Sequence, residues 1–124
     1  MTENKFIREN KKFSKIQGIG FGFKGIIYCI KKDKNVRHKW IIAIIVIIIS
    51  MLTNISQVNW FIVLLICGIM ISLEMTNSAF EKFLDLMYPE YNKEIGEIKD
   101  ITAGVVQTMS YVAIIIGFTI FIIK

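Results

Sequence analysis

The stretch SLEMTNSAFEKFLDLMYPEY, residues 72–91, carries four acidic residues: Glu74, Glu81, Asp85 and Glu90. The fourteen residues Trp60–Leu73, which run up to Glu74, carry no charge. On a continuous helix turning about 100° per residue, with Glu74 set at 0°, Asn77 falls near 300°, Ser78 near 40°, Glu81 near 340° and Asp85 near 20°. Five polar side chains therefore share an arc of about 100°. Met75, Phe80, Phe83 and Leu84 occupy the other side, and Lys82 is expected to point elsewhere. Clustered carboxylates suit a hard cation such as Mg²⁺, which takes oxygen ligands and keeps waters or phosphates. A carboxylate beside such an ion can act as general base toward a hydroxyl. Further along stand Lys99 and Asp100. A lysine opposite a metal–carboxylate cluster supplies positive charge for a moving phosphoryl group. The chemistry these residue types point to is phosphoryl transfer.

Plainer readings exist for both features. The acidic stripe could be the wet face of a solvated helix, and Lys99 an ordinary anchor at a membrane surface. Two observations weigh against the first. Trp60–Leu73 makes only about 21 Å of helix against a hydrocarbon core of roughly 30 Å, so Glu74 falls at or just inside the boundary. Ionisable groups at that depth are costly and face a protein interior. A solvated stripe also usually mixes Lys with Glu four residues apart, and this one reads Glu-Asn-Ser-Glu-Asp.

The elements that must position these residues are membrane helices. Hydrophobic residues make up 54% of the 124-residue chain, and Pro89 is its only proline. Three uncharged runs stand out: WIIAIIVIIISML from Trp40, WFIVLLICGIMISL from Trp60, and ITAGVVQTMSYVAIIIGFTIFII from Ile101. Ile41–Ile49 shows no polar stripe of the kind a soluble bundle requires. The expected fold is an all-α membrane protein, a single domain over 1–124, with three transmembrane helices at about 38–55, 60–86 and 100–123. An N-terminal amphipathic surface helix is expected over about 14–35, because Ile16, Ile19, Phe23, Ile26, Ile27 and Ile30 recur between lysines. Residues 1–13 read as a polar leader. Asn54–Asn59 reads as one turn, and Tyr88–Gly96, marked by Pro89 and Gly96, as an inner loop.

Charge sets the expected orientation. Eleven Lys and Arg fall in residues 1–39, none in 53–59, three in 81–99, and one at Lys124. The positive-inside rule places the N-terminus and second loop in the cytoplasm of a cell-membrane protein. The net charge of +5 reads as topology and attraction to anionic lipid, with no nucleic-acid motif beside it. The N-terminus lacks the pattern of a cleavable signal peptide. Cys29 and Cys67 have no CxxC spacing and read as packing residues. GFGFKG at 20–25 matches G-x-G-x-x-G in letters, but no strand precedes it, so a dinucleotide fold is excluded. His38, the only histidine, reads as a headgroup contact.

E-x-x-N-S-A-x-E-x-x-x-D at 74–85, followed by K-D-x-x-A-G at 99–104, resembles the prokaryotic diacylglycerol kinase family, which includes undecaprenol kinases. The resemblance runs from about Phe21 to Lys124. It implies a small three-span lipid kinase that uses ATP and Mg²⁺. By resemblance Glu74 is the catalytic base. Asn77, Glu81, Lys99 and Asp100 contact the nucleotide, as do the loop residues Glu90 and Tyr91. Phe21 stands where some members carry Tyr. Glu81 is also a metal ligand, and the family's second metal-ligating acid, usually Glu, is Asp33 here. Asn35, Arg37 and Ser78 are implied as substrate or headgroup contacts. Homotrimers with sites shared between subunits are implied as well. The expected reaction is ATP-dependent phosphorylation of a lipid alcohol from the inner leaflet, undecaprenol ahead of diacylglycerol. A different class of reading, a non-enzymatic three-span assembly or ion-conducting protein, would use Glu74 and Glu81 as a cation path. It does not predict Lys99-Asp100 or an acid at position 33.

Overall fold

A computed structural model describes residues 15–123, and within them every regular element is helical. The expected polar leader over 1–13 and the position of Lys124 lie outside the described residues. Helix α1 is Lys15–Lys32, α2 is Lys34–Leu52, α3 is Gln57–Met87 and α4 is Lys93–Phe118, which runs into a short π-helical turn over Thr119–Ile123. Three helical stretches are long and apolar enough to cross a membrane: Lys34–Leu52, Gln57–Met87 and Lys93–Ile123. Together with α1 they give the expected architecture.

Capping residues set the boundaries, and they move several of the expected ones. Asp33 ends α1 and starts α2, because its side chain accepts from the backbone N–H groups of Asn35 and Val36. The surface helix therefore stops before residue 35. Arg37 Nη1 donates back to the carbonyls of Ile30 (3.1 Å) and Lys31 (3.4 Å), covering two orphan acceptors at the end of α1. Ser56 caps α3 by accepting from Asn59 N–H, so the first connection closes over residues 53–56 rather than reaching Asn59. Asn54 takes the left-handed conformation there (φ 52°), which Asn tolerates better than most residues. Asn92 caps α4 by accepting from Glu94 N–H. Gly96 is consequently helical rather than part of the loop, and α4 begins well before residue 100.

The second span is continuous through the acidic stripe, as its length requires. Thirty-one residues make about 46 Å of helix, half again the hydrocarbon thickness of roughly 30 Å. Its C-terminal turns must project beyond the core. Helix α3 packs against both α2 and α4, while α1 folds back onto α2 and touches α3. Val36, Ala43, Val63, Ile71, Leu84, Val106 and Ile120 form the buried seam between helices. Ile41, Ile42, Ile44, Ile45, Ile48 and Ile49 are exposed, as a span bathed in lipid demands. Three hydroxyls within the spans donate to the preceding turn: Ser50 to Val46 O, Thr108 to Gly104 O and Ser110 to Val106 O.

Candidate active site

Burial fixes which way the acidic stripe faces. Glu74 is only 5% exposed and shares the inward face of α3 with Val63, Ile71 and Leu84. Phe80 and Phe83 stand exposed on the other side. A wet helix face would leave Glu74 open, so the solvated-helix reading does not hold at this residue. The charges acting on Glu74 come from Lys39, Asp33 and Glu81.

Nearer the end of α3, a cleft of about 620 Å³ opens between α1 and α3. Gly25, Tyr28, Cys29 and Lys32 line it from one face of α1, spaced as i, i+3, i+4 and i+7. Asp33 lines it from the α1–α2 corner. Ser78, Glu81, Lys82 and Asp85 line it from α3. The Ser78 hydroxyl donates to Asp33 Oδ2, while Oδ1 serves the cap of α2. One carboxylate thus pins the start of α2 and ties the corner to α3. Burial pushes the Cys29 thiol pKa up; the charge of Asp33 adds to this and that of Lys82 opposes it.

A second cleft, about 300 Å³, is lined by Asp85, Tyr88, Pro89, Glu90, Tyr91, Asn92, Ile95, Gly96 and Lys99. Asp85 lines both clefts and accepts a 2.5 Å ion pair from Lys99 Nζ, joining α3 to α4. The ring of Tyr91 lies 3.6 Å from where a Cβ on Gly96 would sit.

The fold therefore brings Asp33, Ser78 and Glu81 to one cleft and Glu90, Tyr91 and Lys99 to its neighbour. Asn77 is half-buried; its Oδ1 is enclosed and accepts no hydrogen bond among the described residues. Asp100 is exposed and lines neither cleft. Asn35 contributes its backbone N–H to Asp33, and Arg37 is engaged by the end of α1. Phe21 lies one turn before Gly25 on α1 and lines neither cleft, with Lys24 Nζ 5.6 Å from its ring centroid.

Contrary to the expectation from sequence, Lys82 does not point away from the acids: it lines the cleft beside Glu81, and its Nζ donates to the hydroxyl of Tyr28. At about 80° from Glu74 it borders the stripe, and this helical arithmetic could have placed it there. Tyr28 carried no sequence signal, because nothing local says which face of a surface helix meets a distant span.

Donor chemistry at the first cleft fits a hard divalent cation. Asp33 and Glu81 offer carboxylate oxygens and Ser78 a hydroxyl, and Mg²⁺ needs only one or two carboxylates beside waters and phosphates. Among the described residues no three His, Cys, Asp or Glu side chains gather as a metal-binding group by themselves. Such a set suits a cation that arrives with its nucleotide better than a dedicated protein cage.

Comparison with known proteins matches this arrangement to one family. The family model for prokaryotic diacylglycerol kinase matches residues 20–121. The undecaprenol kinase of Bacillus subtilis (strain 168) is 32% identical over 101 residues, covering 82% of this chain and 82% of that protein. The matched region takes in the α1 face, the Asp33 corner, the whole acidic stripe and Lys99-Asp100. Three spans, a surface helix, a carboxylate row that starts at the buried Glu74 and a match over most of the length converge: the chain belongs to the prokaryotic diacylglycerol kinase family of membrane lipid kinases.

Proposed function

We propose that this protein transfers the γ-phosphoryl group of ATP to undecaprenol, giving undecaprenyl phosphate, at the cytoplasmic face of the cell membrane. The observation that carries the reading is the single face of α3 on which an enclosed carboxylate, Glu74, and a cleft-lining carboxylate, Glu81, stand seven residues apart. That spacing is about 10 Å along the helix axis, enough to span from the lipid phase to the boundary where a nucleotide can dock. The undecaprenol preference rests on the similarity to the Bacillus subtilis enzyme.

In this reading Asp33 and Glu81 would hold Mg²⁺, which would neutralise charge on the phosphates. Asn77 contacts the phosphates, Lys99 and Asp100 contact the nucleotide, and Glu90 and Tyr91 flank the base. Asn35 and Arg37 stand at the Asp33 corner on the headgroup side. Glu74 orients the lipid hydroxyl and accepts its proton as the oxygen attacks the γ-phosphorus. The bond from the γ-phosphorus to the β–γ bridging oxygen breaks, and ADP leaves with that oxygen. The enclosure of Glu74 supports this role, because a base shielded from water takes its proton from the substrate hydroxyl rather than from solvent.

We further propose a homotrimer. A shallow groove on α3 follows Gly68 and Ser72, four residues apart and flanked by Leu64, Leu65, Ile69 and Leu73. Small residues at that spacing let helices approach closely in lipid.

The test is lipid phosphorylation by the purified protein with Mg·ATP, undecaprenol and diacylglycerol side by side. Undecaprenyl phosphate is expected to dominate. Phosphatidic acid as the main product would reassign the substrate, and folded protein that phosphorylates neither would overturn the kinase reading for this chain.

A further inference from the structure

We propose that Lys82 binds the polyphosphate of the incoming nucleotide, with Tyr28 holding it in readiness; the proposal rests on the kinase reading above.

The first cleft gathers charges of both signs. Three carboxylates line it, those of Asp33, Glu81 and Asp85, with Lys32 and Lys82 as the cations. The ion pair among the described residues is Lys99–Asp85. Lys82 stands next to Glu81 in sequence and between two acids of the stripe, yet it pairs with neither. Its Nζ donates instead to the phenolic oxygen of Tyr28 and lies 4.2 Å from the ring centroid. A phenol is a neutral partner. It restrains a long, flexible side chain without cancelling its charge, so the ammonium remains available to an anion.

The anion this arrangement suits is a phosphate chain delivered with a divalent metal. Asp33 and Glu81 repel a bare polyphosphate and attract its metal. A cation in the same cleft must then meet the phosphate oxygens that the metal leaves uncovered. Lysine does this as a compact point charge with three donors. Lys99 sits in the neighbouring cleft with its charge already engaged by Asp85. Lys82 is the cation of the metal-side cleft that a side-chain contact holds in place. Phosphate oxygens, being charged acceptors, displace a phenol as its partner.

The experiment uses the full chain in detergent. Two readouts are taken: binding of trinitrophenyl-ATP with Mg²⁺ in the absence of lipid, and KM values for ATP and for the lipid alcohol. Lys82→Gln is expected to weaken nucleotide binding and raise KM for ATP about tenfold, leaving KM for the lipid unchanged. Lys82→Arg should restore most of the loss, and Tyr28→Phe should raise KM for ATP by clearly less than Lys82→Gln does, because the tether is lost while the charge survives. Lys82→Met provides the same charge deletion if the Gln variant does not fold.

Unchanged nucleotide binding in a folded charge-deletion variant would overturn the proposal, as would a wild-type chain that binds no nucleotide. An equal loss from Tyr28→Phe would overturn it too, since the pair would then be only a clamp between helices. The two readings separate cleanly. Lipid phosphorylation that ignores Lys82 sinks this proposal and leaves the kinase standing. Nucleotide binding that depends on Lys82, with no lipid phosphorylated, does the reverse.

Discussion

Asp33 shows how much a single side chain carries in this molecule. Its Oδ1 caps α2, its Oδ2 receives Ser78, and the same carboxylate lines the cleft beside Glu81. Structural and metal-binding demands on it can be separated by substitution. Asn caps a helix as well as Asp does, so Asp33→Asn should melt near the wild-type temperature while requiring far more Mg²⁺ for turnover. Asp33→Ala should also lose the cap, at a cost of about 1 kcal/mol in stability. Thermal melts in detergent and Mg²⁺ titrations of activity check both. Glu74 and Glu81 separate in a different way. Glu74→Gln should reduce turnover by at least about 100-fold and spare nucleotide binding, since it removes a base and nothing that touches the nucleotide. Glu81→Gln should weaken Mg·ATP binding as well as turnover. Near-normal turnover in both variants would refute the assigned roles.

At the scale of elements, the question is how a surface helix becomes one wall of a site. Helix α1 and the Asp33 corner meet α3 through a thin seam that, among the described residues, includes the polar links Ser78–Asp33 and Lys82–Tyr28. Cys29 sits in that seam and reports on it. Burial and the neighbouring Asp33 raise its thiol pKa, so less thiolate is present near neutrality and maleimide labelling should be slow. The rate should climb at higher pH than for an ordinary cysteine, with Cys67→Ser removing the other thiol. Mg·ATP should slow labelling further, because Cys29 lines the proposed nucleotide cleft. Labelling that matches a free thiol and ignores Mg·ATP would contradict the seam and the nucleotide site respectively.

At the scale of the whole molecule, a single chain leaves much to its surroundings. Its buried seam is short, and isoleucines of α2 face outward on most sides. Lipid accepts those without cost, so apolar exposure alone does not report subunit contacts. The Gly68–Ser72 groove is where the proposed trimer would pack, because small residues there let a second helix approach closely. If the proposed trimer packs there, Gly68→Leu should fill the groove and shift the protein from trimer toward smaller species in analytical ultracentrifugation. Nothing lies within 4 Å of a Cβ at Gly68, so the substituted chain should still fold. An unchanged trimer would place the subunit interface elsewhere.

Much of this was legible along the chain. Uncharged runs of the length a bilayer demands fixed the number of spans, because backbone polar groups in lipid leave helices as the solution for such runs. The acidic row was legible because helical geometry converts spacing into direction, and the motif residues 74–85 and 99–104 gave the family. Helix ends were read less well. Asp33, Ser56 and Asn92 each decide a boundary through one side-chain hydrogen bond, which hydropathy does not register. What only the tertiary structure decided is which residues meet across the helices. Tyr28 reaches Lys82 over 54 positions, Asp33 reaches Ser78 over 45, and Asp85 bridges two clefts by pairing with Lys99. Local sequence sets the face on which each side chain stands. Which faces turn toward one another depends on how α1 folds back and how far α3 projects past the membrane, and that is a property of the packed molecule.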